Sequence, residues 1–166
     1  MRSMNVTNGE FKKGKIHDVV MRPLTKFLDE RGWLAELFRE DEIEATAMPV
    51  MAYISMTLPG IARGPHEHVE QADYFCFIGP SNFKVYLWDT RGDSPTCGIR
   101  QIIYTGVDSP MMLIVPPGVV HAYKNIGTEN GIVFNIPNRL YAGVGKRFPV
   151  DEIRHEEAVD SPFRLD

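Results

Sequence analysis

From residue 50 onward the chain reads as short apolar, β-branched or aromatic runs cut apart by turn residues, and that rhythm leaves few architectures open. The runs are 50–57, 74–78, 83–88, 100–104, 111–115, 121–125 and 131–136. Between them stand Pro59-Gly60, Gly79-Pro80-Ser81-Asn82, Arg91-Gly92-Asp93-Ser94-Pro95, Asp108-Ser109-Pro110, Pro116-Pro117-Gly118 and the stretch 127–131. Seven strands at this spacing predict an all-β sandwich or barrel, and 14 glycines and 12 prolines suit such a turn-rich fold.

Upstream, residues 16–38 read as a β-hairpin turning at Asp29-Glu30-Arg31-Gly32. Glu40 to Ala47 is the one helical stretch, ended by Pro49. Residues 1–15 show little periodicity and are expected to form a leader or an arm on a partner subunit. A short helical turn is expected around Asp151 to Glu157. At 166 residues and 43% hydrophobic content the chain supports one core, so 16–166 is read as a single domain.

Composition excludes several classes of function. A formal net charge of -4 without a run of Lys or Arg argues against nucleic acid as a partner. No stretch approaches the ~20 apolar residues of a membrane span. Cys76 and Cys97 make neither a disulfide framework nor a CxxC knuckle. Met1 to Lys15 lacks the apolar core of a secretory signal, which makes the cytoplasm the default address.

Chemistry concentrates in two frames, Gly60-Ile61-Ala62-Arg63-Gly64-Pro65-His66-Glu67-His68 and Pro116-Pro117-Gly118-Val119-Val120-His121-Ala122-Tyr123-Lys124-Asn125. In a strand, residues i and i+2 share a face, so His66 and His68 can both point inward with Glu67 outward. Together the frames resemble the two motifs of a cupin, which implies a double-stranded β-helix, or jelly roll, with an N-terminal hairpin and short peripheral helices. Asp73 falls where cupins place an acidic ligand. His66, His68, Asp73 and His121 would suit one divalent transition ion, Zn, Mn, Fe or Ni, with a position left for water or substrate.

A second pattern overlaps the first. The string Asp29 to Phe38, then Arg63-Gly64-Pro65-His66, Gln71, Asp89-Thr90-Arg91, Ser94-Pro95-Thr96-Cys97-Gly98 and Val115 to His121 closely resembles the dTDP-4-dehydrorhamnose 3,5-epimerase family. The blocks run in order from about residue 24 to 141. The resemblance implies a homodimeric cupin-type enzyme that needs no metal and takes nucleotide-linked 4-keto-6-deoxy sugars. By position, His66 matches the family's catalytic base, His121 lines the same cavity, and Arg31, Glu36 and Arg63 contact the nucleotide, its diphosphate or the sugar. Arg63, His121 and Asp73 are accordingly grouped with His66 as catalytic candidates, and Gln71, Tyr123 and Asn135 join Arg31 and Glu36 as substrate-binding candidates.

Two departures stand out. Asp73 occupies the place of a family lysine able to stabilise the enolate oxygen, and Asn135 that of a tyrosine that protonates the opposite face of the sugar. Epimerisation at one carbon, or a keto shift, is therefore the expected reaction. The alternatives are a metal-dependent isomerase or oxygenase built on His66, His68 and His121, and a sugar-nucleotide binder without catalysis. Tyr74, Tyr123 and Tyr141 are candidates for the displaced proton donor, beside plain packing roles. Met51 and Tyr53 stand where the family reads the nucleotide base.

Overall fold

The computed structural model describes residues 10–166. All seven predicted runs form strands, and thirteen strands are present among the described residues, with Ala62–Glu67 among those the runs did not predict. The thirteen are β1 (Lys12–Lys13), β2 (Val20–Pro23), β3 (Phe27–Asp29), β4 (Gly32–Leu34), β5 (Tyr53–Thr57), β6 (Ala62–Glu67), β7 (Asp73–Gly79), β8 (Asn82–Asp89), β9 (Ile99–Gly106), β10 (Met111–Val115), β11 (Val119–Asn125), β12 (Gly131–Asn135) and β13 (Ile153–Arg154). They build a six-stranded sheet in the order β1-β9-β8-β11-β6-β13, a five-stranded sheet in the order β2-β10-β7-β12-β5, and the β3-β4 hairpin. Two facing sheets of mostly antiparallel strands make the cupin-type jelly roll that the motifs imply.

Period-two alternation decides what lies between the sheets. Phe83, Val85 and Leu87 of β8 meet Phe75 and Phe77 of β7, Leu113 and Val115 of β10, and Val133 of β12 in one buried cluster. Residues of opposite parity are also covered. Tyr74, Cys76, Met112 and Ile114 pack under Leu24, Leu37 and Ile43, while Tyr86 and Trp88 are sealed by Phe163 and Leu165 near the C-terminus. Gly131 is required by packing, because a Cβ there would lie 2.2 Å from the Phe83 ring.

Several expectations are corrected in detail. The hairpin is confined to residues 27–34, and β2 instead pairs with β10 as an edge strand, a position that tolerates Pro23. Glu40 to Ala47 is not a helix but two 3₁₀ turns, at Glu40–Glu42 and Ala45–Ala47, joined through an extended Ile43. Ile43 packs against the outer face of the five-stranded sheet, and that burial outweighs the helical propensity of its neighbours. The helical turn expected over 151–157 is replaced by β13, which completes the free edge of β6 through Ile153↔Glu67 and Arg154↔His66. Of the leader expected over 1–15, residues 1–9 lie outside the described residues, while Lys12 and Lys13 pair in parallel with Ile99 and Arg100.

Candidate active site

At one end of the space between the sheets the apolar alternation gives way to polar side chains. Asp73 precedes Phe75 and Phe77 on the inward face of β7, His121 and Tyr123 lie inward on β11, and Asn135 follows Val133 on β12. His66 stands directly opposite His121 in the β6–β11 ladder, with a register shift just beyond. Gly64 makes that approach possible. It adopts φ of 78°, and a Cβ there would lie 2.6 Å from the His121 carbonyl oxygen.

The result is a four-residue cluster. One ligand atom from each of His66, His68, Asp73 and His121 falls within 4.8 Å of the other three. Asp73 sits at its centre, 1% exposed, with Oδ2 3.0 Å from His68 Nε2 and 2.9 Å from His121 Nε2. The other carboxylate oxygen, Oδ1, accepts from the side-chain amides of Gln71 at 2.8 Å and Asn135 at 3.0 Å. His68 Nδ1 faces the Asp151 carbonyl, and His121 Nδ1 lies 3.0 Å from the Val119 carbonyl. Neither ring nitrogen of His66 is held by a hydrogen bond among the described residues.

Burial and proximity set the protonation of these groups. Burial alone would raise the Asp73 carboxyl, but His121 and His68 outweigh it and hold it well below the usual carboxylate range. Burial likewise opposes charge on His68, yet its hydrogen bond to Asp73 lifts it to about 9. His66 lacks such a partner; burial, reinforced by His121, pulls it down to about 3. His66 is therefore the neutral imidazole of the group, the form that accepts a proton.

Residues 13–147 match the family described as dTDP-4-dehydrorhamnose 3,5-epimerase. The chain belongs to that family. It is 40% identical over 128 residues to the probable low-salt glycan biosynthesis epimerase Agl13 of Haloferax volcanii, covering 76% of this chain and 81% of the relative. It is 37% identical over 112 residues to the spore coat polysaccharide biosynthesis protein SpsL of Bacillus subtilis, covering 68% of this chain and 73% of that one. A dTDP sugar isomerase from Desulfovibrio desulfuricans shares the fold with a TM-score of 0.76 at 19% identity, covering 91% of each chain. As a member of the dTDP-4-dehydrorhamnose 3,5-epimerase family, the protein is an enzyme of the sugar epimerase and isomerase type.

Within this family frame the candidate residues fall into three groups. His66, Asp73, His121, Gln71 and Asn135 are brought together with His68. Arg63 and Tyr123 flank them as ladder partners; Arg63 donates to Thr57 Oγ1 at 3.0 Å and to the Met56 carbonyl at 2.7 Å, and the Tyr123 hydroxyl pairs with Ser55 Oγ at 2.9 Å. Arg31 and Glu36 stand apart. Arg31 pairs with Asp29 on its own hairpin, and Glu36 lines a separate cavity with Arg22, Phe38, Tyr74 and Met112 outside the five-stranded sheet.

One site residue escapes a reading of the motifs, and a second, set by the resemblance among the base-reading positions, lies beside the cluster instead. The Asp151 carboxylate accepts from the backbone N–H groups of Val69, Glu70 and Gln71 at 2.7–2.9 Å, which fixes the loop between His68 and Asp73. Nothing in its local sequence marks it, since its role exists only when residues 147–155 return beside β6. The second is Tyr53, whose hydroxyl accepts from Asn135 Nδ2 at 2.7 Å. Burial, with Asp73 adding to it, raises the Tyr53 phenol above its ordinary value, so it keeps its proton. Tyr74 is tied to the Leu37 carbonyl on the outer side of the sheet and Tyr141 is 56% exposed, so of the phenols Tyr53 and Tyr123 border the cluster.

Proposed function

We propose that the protein epimerises a nucleotide-linked 4-keto-6-deoxy sugar at one carbon beside the ketone, with His66 as base and Tyr53 as acid. One observation carries the reading: His66 lies on β6 of one sheet, and Tyr53 lies on β5 of the other. Inverting a carbon requires a proton to leave one face and return to the opposite face, so the two groups belong on opposite walls. His66 takes the proton as the C–H bond breaks, and the electron pair passes into the enolate. Tyr53 then delivers its proton to the far face as the new C–H bond forms and the ketone is restored, and both residues re-equilibrate with solvent.

Arg63 orients the substrate; its planar fork suits a diphosphate or a sugar oxygen. The names of the Haloferax and Bacillus relatives support a place in glycan or polysaccharide synthesis. A homodimer accompanies this reading. The hairpin exposes Phe27, Leu28, Trp33 and Leu34 at 54%, 79%, 51% and 59%, an apolar cross-strand pair on each of its faces that suits a second copy and would carry Arg31 with it.

The test is solvent exchange. In deuterium oxide the wild type should place deuterium on one carbon beside the ketone of a dTDP-4-keto-6-deoxy sugar, and His66→Ala should not. Unchanged exchange in His66→Ala would remove His66 from the role.

A further inference from the structure

We propose that Thr57 is a positioning residue: it sets the direction of the Arg63 guanidinium and, through it, the affinity for the diphosphate of the nucleotide-linked sugar. The role rests on the epimerase reading, in which Arg63 contacts the substrate; Thr57 acts only through Arg63.

An arginine presents five N–H donors in a rigid planar fork, so fixing one edge of the fork aims the others. Arg63 Nε donates to Thr57 Oγ1 at 3.0 Å and Nη2 donates to the Met56 carbonyl at 2.7 Å, which occupies the side-on edge. The end-on edge, with one N–H from each Nη, stays open, and two parallel N–H groups suit two oxygens of a phosphate. Charge points the same way. Arg22, Arg31, Arg91 and Arg154 each lie against a carboxylate. Arg63 enters no ion pair among the described residues and meets neutral oxygens instead, which leaves its positive charge for an anion.

Thr57 can aim the fork because it is itself fixed. It is 2% exposed, it pairs with Gly131 in the β5–β12 ladder, and its carbonyl accepts from Asn125 Nδ2 at 2.8 Å. Met56 contributes a backbone carbonyl that any residue would supply, so the Thr57 hydroxyl is the part that depends on sequence. Ordering the long Arg63 side chain before substrate arrives removes part of the entropy that binding would otherwise cost. Period two places Tyr53, Ser55 and Thr57 on one face of β5. Tyr53 meets Asn135 beside the histidine cluster, Ser55 meets the Tyr123 hydroxyl, and Thr57 holds Arg63. Four residues of extended strand, about 13 Å, separate Tyr53 from Thr57, so the reacting ring belongs at one end of this stripe and the diphosphate at the other.

Calorimetric titration with dTDP and steady-state kinetics with a dTDP-4-keto-6-deoxy sugar test the role. Thr57→Val keeps the shape and removes the hydroxyl; it should weaken dTDP binding and raise KM, each about 3–10-fold. Its kcat should change less than about twofold, the pattern of a lost contact to a part of the substrate that does not react. Thr57→Ser restores the oxygen and should bind dTDP within about twofold of wild type. In an Arg63→Ala background Thr57→Val should weaken binding no further, because the group it aims is gone. Should circular dichroism show Thr57→Val unfolded, Thr57→Ala takes its place with the same expectations. No saturable dTDP binding by the wild type, wild-type affinity in Thr57→Val, an equal loss in the Arg63→Ala background, or a fall in kcat with KM unchanged would each overturn the assignment. The expected dTDP series without deuterium exchange in the wild type would uphold Thr57 and sink the epimerase reading alone.

Discussion

Asn135 and Tyr53 are direct partners across β12 and β5, and the Asn135 amide donates to the Tyr53 hydroxyl at 2.7 Å. Asn135 stands where the resemblance implies a catalytic tyrosine, so a phenol is present at this point after all, carried by the neighbouring strand and held by the residue that replaced it. The same amide nitrogen reaches Asp73 Oδ1 at 3.0 Å, which ties the phenol to the histidine cluster.

Tyr53→Phe keeps the ring and removes the donor. Turnover should fall about 10²–10⁴-fold, while deuterium wash-in on the face served by His66 persists. Product formation and exchange, followed together by NMR, check this; epimerisation at the wild-type rate would refute the acid role.

Gly64→Ala forces a methyl against the His121 carbonyl at 2.6 Å in a backbone conformation that L side chains avoid. We expect a loss of about 1–3 kcal/mol and a larger loss of activity, because the strain separates His66 from His121. Denaturant midpoints and kcat measured on one preparation test it. A variant with unaltered midpoint and activity would show that the close approach is dispensable.

Asp89 is fully buried and accepts from Arg91, Ser94 and Thr96. Burial would raise its carboxyl, but these donors outweigh burial and hold it at about 2, against an ordinary value of 3.8. A carboxyl lowered on folding contributes stability that is fully present above its unfolded value and lost as pH falls through its folded one. Relative to Asp89→Asn, the wild type should therefore be more stable by about 2 kcal/mol at pH 7, with the gap closing between pH 4 and 2. Thermal midpoints of both proteins across that window decide the matter.

Leu28→Glu changes a side chain that is 79% exposed and touches no core cluster. For the proposed homodimer, sedimentation should show the wild type as a dimer and this variant as a monomer, with the circular dichroism spectrum preserved. An unchanged sedimentation coefficient would rule the hairpin out as the contact between copies.

Phe163→Ala uncovers Tyr86 and Trp88, which form a stacked pair beneath it. A loss of about 3 kcal/mol is expected, read as a lower urea midpoint with the active site intact.

Strands were legible where one side of the sheet alternates with the other in the sequence. Met111–Val115 matches its run residue for residue, and the other six runs differ only at their ends. The histidine frames were legible because proximity along the chain and glycine spacing survive into the fold. Residues 40–47 and 151–157 misled because helical propensity is a local quantity, while burial of Ile43 and the open edge of β6 are not.

By itself, the sequence determined the all-β class, the family and the identity of the histidines, since hydrophobic period and turn chemistry act over a few residues and need no partner. Tertiary structure decided the rest of the site. It brought Asp151 beside His68, set Tyr53 against Asn135, and left His66 as the cluster imidazole with no hydrogen bond among the described residues. Those relationships join residues 62–83 positions apart. They depend on which strands become neighbours, and strand order follows from packing of the whole chain rather than from any segment of it.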